Sequence, residues 1–348
     1  MQSATRIILC LVIFSVVILG VWANLKPQSS YEEIAVTPKL KERFAILYRG
    51  IFGDDGVGSD ILVQSPEDKD SALIDLFIPL YVAKASEVEG GEYSLKNENA
   101  KLPSVSAQSF LVADIETGDI ILARSPNKVS PTASVVKLMT SLVSFNEIDR
   151  DAEVVVDGAS LKTEGQAGGL VSGEKIPVSE LLYPLLIVSS NDAAELLARN
   201  YGREGFLLKM SEEAKMIGMK DSNFDDPSGL SYKTVSTAHD LFKLLKYLSA
   251  ERSYLVDLSK LRMRKSEGGS RSHTWLNSNP FVRRGYEYYA GGKHGYTWKA
   301  GHTLASIFSL PVSTFGERKV AIVLLKSRDL QADVKAITKY LIDNVEFN

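Results

Sequence analysis

The stretch Ser130-Pro131-Thr132-Ala133-Ser134-Val135-Val136-Lys137-Leu138-Met139-Thr140 decides how this chain is read. Pro131 fits the first turn of a helix, where its missing N–H would lack a partner in any case, and Ser130 is suited to cap that helix. On this register Ser134 falls in the early turns and Lys137 stands one turn further on the same face. Val135, Val136, Leu138, Met139, Leu142 and Val143 leave the helix apolar almost all round, as a fully buried helix is. A hydroxyl beside an amine has a chemical use in such a setting. An amine in a dry, positive site loses proton affinity, and its neutral form can take a proton from serine. The helix N-terminus adds partial positive charge where an acyl oxyanion would form. Ser-x-x-Lys is by itself common on surface helices, so the rest of the chain has to decide.

The chain has 348 residues, 45% hydrophobic and 24% charged, a globular composition with room for one large domain or two ordinary ones. A net charge of -3 gives no electrostatic basis for binding nucleic acid. The single cysteine, Cys10, excludes a disulfide within the chain and a cysteine-ligated metal site. His239, His273, His294 and His302 lack metal-ligand spacing, which favours hydrogen-bonded histidines over a zinc site. Within residues 1–23, the run Ile7 to Ala23 is apolar and uncharged and follows Arg6. It reads as a signal anchor with Arg6 on the cytoplasmic side, or as a signal peptide cut after Val21-Trp22-Ala23, which fits the small-residue cleavage rule only loosely. Both readings export the remainder to the cell envelope.

Residues 24–102 read as a stalk or small accessory region. Lys39 to Phe52 has a helical rhythm, and Glu87 to Ser106 is a polar, acidic linker. The pattern sharpens from Ser109. Ser109 to Asp114 and Asp119 to Arg124 are β-rich runs joined as a hairpin through Ile115-Glu116-Thr117-Gly118. A mostly helical middle follows, with helices over Ser179 to Val188, Asp192 to Tyr201 and Ser236 to Ser249, the second stopped by Gly202 and the third capped by Ser236 or Thr237. Strands return at His302 to Pro311 and Arg318 to Lys326, and Leu330 to Asn344 closes as an amphipathic helix. Strands at both ends with helices between them predict an α+β fold, an antiparallel sheet covered by helices.

Two further motifs join the first. Ser189-Ser190-Asn191 lies at the junction of two helices, where a capping turn is the bland reading. Lys293-His294-Gly295 opens a strand after Gly291-Gly292, where an edge lysine is common. In this order the three resemble the Ser-x-x-Lys, Ser-x-Asn and Lys-Thr-Gly boxes of penicillin-binding proteins and serine β-lactamases. The flanking text, Val188-Ser189-Ser190-Asn191-Asp192-Ala193-Ala194, Asp226-Pro227-Ser228-Gly229-Leu230 with Ser236-Thr237-Ala238, and Gly295-Tyr296-Thr297 with Ala300-Gly301, is similar to that of low-molecular-mass D-alanyl-D-alanine carboxypeptidases of the S11 peptidase type. The resemblance covers residues 103–348 and implies a β-lactamase/transpeptidase-like fold with a mainly helical subdomain. The sequence stops just after the last helix, so the β-rich C-terminal domain of some relatives is not expected.

What the resemblance implies is specific. Ser134 would attack the peptide carbonyl between two D-alanines, and Lys137 would be its base. Ser189 would relay a proton to the leaving amine, and Asn191 would hold the substrate amide and steady Lys137. Lys293 would supply positive field, and the backbone N–H groups of Ser134 and Tyr296 would form the oxyanion hole. Lys293, His294, Gly295, Thr297 and Arg328 would contact substrate. Peptidoglycan stem peptides would be the substrate and β-lactams the inhibitors, with no metal or organic cofactor. The departure is His294, where relatives carry a threonine or serine hydroxyl for the substrate carboxylate. An imidazole of ordinary pKa there predicts activity that falls as pH rises through roughly 6 to 7. A β-lactamase, an endopeptidase acting on cross-links and a non-catalytic wall-binding protein are the competing readings. No Glu-x-x-Leu-Asn for a class A deacylating water lies between Asn191 and Lys293, and the buried lysines and serines would be costly without a task.

Overall fold

The computed structural model describes residues 81–82, 93–97, 100–165, 167–313 and 316–347. The apolar run Ile7 to Ala23 and the helical rhythm of Lys39 to Phe52 lie outside the described residues. The elements, in chain order, are strands β1 (Tyr81–Val82), β2 (Tyr93–Leu95), β3 (Ser109–Asp114), β4 (Ile120–Arg124) and β5 (Ser130–Pro131), then helix α1 (Lys137–Glu147). Strands β6 (Glu153–Val155) and β7 (Lys175–Pro177) precede helices α2 (Val178–Leu186), α3 (Asn191–Tyr201) and α4 (Arg203–Ile217). Next come β8 (Val235–Ser236), α5 (Ala238–Glu251), α6 (Ser253–Ser259), the ribbon β9 (Met263–Lys265) and β10 (Thr274–Leu276), and the short α7 (Pro280–Arg283). Strands β11 (Tyr289–Thr297), β12 (Gly301–Ser313) and β13 (Gly316–Ser327), helix α8 (Leu330–Asn344) and β14 (Val345–Phe347) complete the chain.

Eight strands form one sheet in the order β1-β4-β3-β13-β12-β14-β2, with β11 also pairing β12. The pairs are antiparallel except for the short contact of β12 with β14. Period-two alternation divides the sheet between two cores. Leu111, Ala113, Ala305, Ile307, Ala321 and Val323 face a core shared with α1, α2, α3 and α5. Phe110, Val112, Leu304, Phe308, Val320 and Ile322 face the other core, built with Val334, Ile337 and Leu341 of α8. The central strand is therefore apolar at every position from Val320 to Leu325, the pattern of a strand covered on both faces. This is the α+β architecture that the strand–helix–strand order predicts.

Local boundaries follow capping chemistry. Ser190 caps α3 by accepting from Ala193 N, Thr237 caps α5 by accepting from Asp240 N, and Asp329 caps α8 by accepting from Gln331 and Ala332 N. Gly202, at φ 102, ends α3 as expected, but a further helix, α4, begins directly after it. The linker expected over Glu87 to Ser106 is also revised. Tyr93–Leu95 is a strand against Val345–Phe347, and Val105 is buried. Polar composition misled there because the strand is short and only Tyr93 of its three residues is buried.

Asp333 fastens the sheet's entry segment to α8. Its carboxylate accepts from Ser106 N (2.6 Å) and Ser106 Oγ (2.9 Å), which are half-buried, and from Ala107 N (3.1 Å) and Ser327 Oγ (2.6 Å), which are buried. Removing the acceptor strands buried donors, each costing on the order of 1–3 kcal/mol. Asp333→Ala is expected to lower unfolding stability by about 3 kcal/mol, measured by denaturant titration, whereas an exposed change such as Lys335→Ala leaves it within about 0.5 kcal/mol.

Candidate active site

The segment before Ser134 is not the helix start that its proline suggests. Ser130 and Pro131 pair with Ser236 and Val235, and Thr132 N continues that pairing to Thr234 O at 3.1 Å. Proline fits such an isolated bridge because it lacks the N–H a ladder would need. Ala133 then adopts a left-handed φ of 47, which breaks the extended run and starts a 3-10 turn, Ala133–Val136, ahead of α1. No side chain caps either element, so Ser130 is not an N-cap.

Two glycines make room for this strained turn. A Cβ on Gly229 (φ +85) would lie 1.9 Å from Ala133 O, and one on Gly295 would lie 2.6 Å from Ser134 N. Strand β11 and the loop after Asp226 thus grip the Ala133–Ser134 peptide from two sides. Asp226 shapes that loop: its Oδ2 accepts from Ser228 N and Oγ, Gly229 N and Leu230 N, and its Oδ1 accepts from Thr234 Oγ1 at 2.5 Å. Thr303 Oγ1 on β12 donates to Thr132 O at 2.9 Å and holds the segment from the sheet side.

Lys137 is fully buried, and its Nζ lies 2.9 Å from Ser134 Oγ, 2.7 Å from Asn191 Oδ1 and 2.6 Å from Ser228 O. Burial lowers its pKa well below the ordinary lysine value, and the charge of Lys293 lowers it further, against the raising effect of Asp226. Two of the three neighbours, a backbone carbonyl and an amide oxygen, can only accept. A neutral Nζ therefore spends its two N–H bonds on them and turns its lone pair to the Ser134 hydroxyl.

Asn191 is itself oriented. Its Nδ2 donates to Glu164 O at 2.6 Å, which leaves Oδ1 for Lys137. Ser189, two residues earlier, sits at a left-handed φ of 62, and its Oγ has no hydrogen-bond partner among the described residues. Strain of this kind in a non-glycine residue is characteristic of functional turns.

The third motif lies within β11, which begins at Tyr289 and not after Gly291-Gly292. Lys293 is buried and donates to His294 O at 2.7 Å, and desolvation pushes its pKa down to about 7. His294 Nδ1 is enclosed and unpartnered among the described residues. Burial, then the charges of Lys293, His302 and Lys137, push the imidazole down to about 3. The ring is neutral throughout the physiological range, so the titration expected between 6 and 7 is corrected. Tyr296 is exposed and packs on His302 with ring centroids 4.6 Å apart. Thr297 Oγ1 accepts from Ala300 N at 3.1 Å and stabilises the β11–β12 turn. Arg328 is exposed at the end of β13, its backbone N bonded to Ser106 Oγ at 3.0 Å.

A serine whose proton faces a dehydrated amine, set between a helical subdomain and the open edge of an antiparallel sheet, defines an active-serine acyl hydrolase. The D-alanyl-D-alanine carboxypeptidase family model, peptidase S11, matches residues 96–326, and the chain belongs to that family. It is 30% identical over 229 residues to D-alanyl-D-alanine carboxypeptidase DacB2 of Mycobacterium tuberculosis, covering 64% of this chain and 76% of that protein. It is 34% identical over 206 residues to the D-alanyl-D-alanine endopeptidase of Haemophilus influenzae, covering 58% of this chain and 70% of that protein. The crystal structure of a D-alanyl-D-alanine carboxypeptidase from M. tuberculosis H37Rv superposes with a TM-score of 0.63 at 26% identity, covering 69% of this chain and 92% of that one. The Streptomyces K15 DD-transpeptidase shares the fold, with a TM-score of 0.63 at 23% identity, 70% of this chain and 98% of that one.

Sequence reading located Ser134, Lys137 and Asn191, which the fold brings into contact, and Gly295, which abuts Ser134. It gave no role to the Ser228 carbonyl or the Asp226 carboxylate; the Asp-x-Ser-Gly spacing of an Asx-type turn was the available signal. His294→Thr is expected to change substrate affinity while leaving the shape of the pH–acylation profile between pH 5 and 8 unaltered, measured with a chromogenic β-lactam. A limb near 6.5 that disappears in the variant would contradict the neutral imidazole.

Proposed function

We propose that this chain is a serine D-Ala-D-Ala carboxypeptidase acting on peptidoglycan stem peptides through an acyl-enzyme on Ser134. The observation that carries this is the set of three oxygens around Lys137 Nζ, two of them unable to donate. As Ser134 Oγ bonds to the carbonyl carbon, its proton passes to Lys137 Nζ. The oxyanion is met by the backbone N–H groups of Ser134 and Tyr296, a role supported by the close fit of Gly295 against Ser134 N. As the C–N bond breaks, the proton reaches the departing D-alanine amine through Ser189. Asn191 retains one N–H and one lone pair for the substrate amide, having used the others on Glu164 O and Lys137. Charged Lys293 supplies field for the terminal carboxylate, with His294 donating one neutral hydrogen bond and Arg328 and Thr297 bordering that end. Water then hydrolyses the ester.

A β-lactam acylates the same serine. Cleavage of a cross-link needs the same groups, and the endopeptidases among the relatives support it as the second reading. The apolar run Ile7 to Ala23 behind Arg6 supports export and a tether at the outer face of the cytoplasmic membrane.

Labelling with a fluorescent penicillin, followed by intact mass, is expected to give one adduct on the wild type and none on Ser134→Ala. Release of D-alanine from a pentapeptide, compared with cleavage of a cross-linked dimer, then separates the two readings. A folded wild type that neither forms an adduct nor releases D-alanine would overturn the catalytic reading.

The pH dependence follows from the two lysines. Lys137 acts as a base only when neutral, so the rate rises with pH through its lowered pKa. Lys293 contributes field only when charged, and that charge is lost as pH rises through about 7. The acylation rate of the free enzyme is expected to be bell-shaped, its descending limb near 7 and absent in Lys293→Ala, measured by stopped-flow acylation.

A further inference from the structure

Beside the site lies a set of buried groups that the reaction scheme does not use: Glu174, His273, Trp275 and Tyr183. The ribbon β9–β10 presents Met263 and Leu276 outward and turns Trp275 inward. Trp275 stacks between His273 (centroids 5.3 Å, 8°) and Tyr183 (6.4 Å, 8°). His273 Nε2 hydrogen-bonds Glu174 Oε1, both side chains being buried, and Glu174 Oε2 accepts from Val171 N at 3.1 Å. Trp275 Nε1 donates to Gly168 O at 2.8 Å.

These bonds converge on one backbone segment. Gly165, Gly168 and Gly169 all have left-handed φ, so the segment has little intrinsic preference for its shape. It is held from one side by Trp275 and Glu174. From the other it is held by α3, through Ser190 Oγ to Ala167 O (2.5 Å) and Asn191 Nδ2 to Glu164 O (2.6 Å). A Cβ on Gly168 would come within 3.2 Å of Ser190 Cβ, so the two surfaces are in full contact.

We propose that Trp275, with the His273–Glu174 pair behind it, is a positioning residue for the base: together they fix the backbone from Ala167 to Val171, and with it the Glu164 carbonyl that sets the direction of the Asn191 amide. That direction matters because a flipped amide would aim N–H bonds at Lys137 Nζ and occupy the lone pair meant for Ser134. Among the described residues Asn191 has no other bond that distinguishes its oxygen from its nitrogen, since Lys137 Nζ can donate to one or accept from the other. The backbone carbonyl of Glu164, which only accepts, makes the choice. The catalytic half of this inference rests on the acyl-enzyme reading given above.

The test uses the full-length chain. Trp275→Phe keeps the ring stack and removes only the N–H to Gly168 O. It is expected to slow penicillin acylation of Ser134 at least tenfold while α1 and the sheet keep wild-type amide hydrogen exchange. Exchange of the amides of Ala167 to Leu170 is expected to quicken by a similar factor. In an Asn191→Ala background the same substitution is expected to add less than twofold, because its effect passes through Asn191. His273→Gln, which still donates to Glu174, is expected to stay within threefold of wild type, and His273→Phe to behave like Trp275→Phe. Unchanged exchange at Ala167 to Leu170 in Trp275→Phe overturns the clamp. Acylation losses that multiply independently of Asn191 overturn the positioning role. A wild type that is not acylated overturns the acyl-enzyme reading and the catalytic half with it, and the exchange measurement still decides the clamp.

Discussion

A lysine amine buried among three oxygens is the constraint on which this structure turns. An ammonium taken out of water is costly unless every proton finds an acceptor, and a neutral amine is costly unless its lone pair is used. At Lys137 both forms are satisfied, by the same three atoms. Charged, it donates to Ser134 Oγ, Asn191 Oδ1 and Ser228 O; neutral, it donates to the last two and accepts from the first. The site can therefore pass a proton between serine and lysine without stranding a buried polar group, which a serine peptidase requires of its base.

Each of the three oxygens is held by a different part of the fold. Ser134 stands after a left-handed Ala133 that Gly229 and Gly295 leave room for. Ser228 O is placed by the Asp226 carboxylate, which gathers three backbone N–H groups of its own loop. Asn191 opens α3 and is aimed by the backbone at Glu164. The helical subdomain and the loop after Asp226 thus meet at one nitrogen, and strand β11 backs the serine beside it. The second buried lysine, Lys293, lowers the proton affinity of the first and has its own lowered by burial. The first shift frees a base near neutral pH, and the second makes the positive field beside it a property that is lost as pH rises through about 7.

His294 shows how tertiary placement overrides side-chain identity. An imidazole in water titrates near neutrality, and the residue by itself suggests a pH sensor. Set beside two lysines and enclosed at Nδ1, it remains neutral. Thr297 gains a second task from its placement: its hydroxyl accepts from Ala300 N in the β11–β12 turn and keeps its own O–H to donate.

The sequence by itself determined the layers and the chemistry. The β-rich apolar runs Ser109 to Asp114 and Arg318 to Lys326 specify strands, the apolar run after Lys137 specifies a buried helix, and Leu330 to Asn344 is the closing helix residue for residue. These are local patterns, and periodicity and capping residues report local structure. The reaction class was legible through the resemblance of the motifs holding Ser134, Lys137, Ser189, Asn191 and Lys293 to those of D-alanyl-D-alanine carboxypeptidases. Only the tertiary structure decided how Ser134 is presented, since the turn at Ala133 exists because glycines distant in sequence leave space for it. It alone revealed the strand at Tyr93–Leu95, whose partner lies at the far end of the described chain. It alone fixed the proton affinities of Lys137, Lys293 and His294, because burial and the distance between charges are properties of the folded arrangement that no stretch of sequence contains.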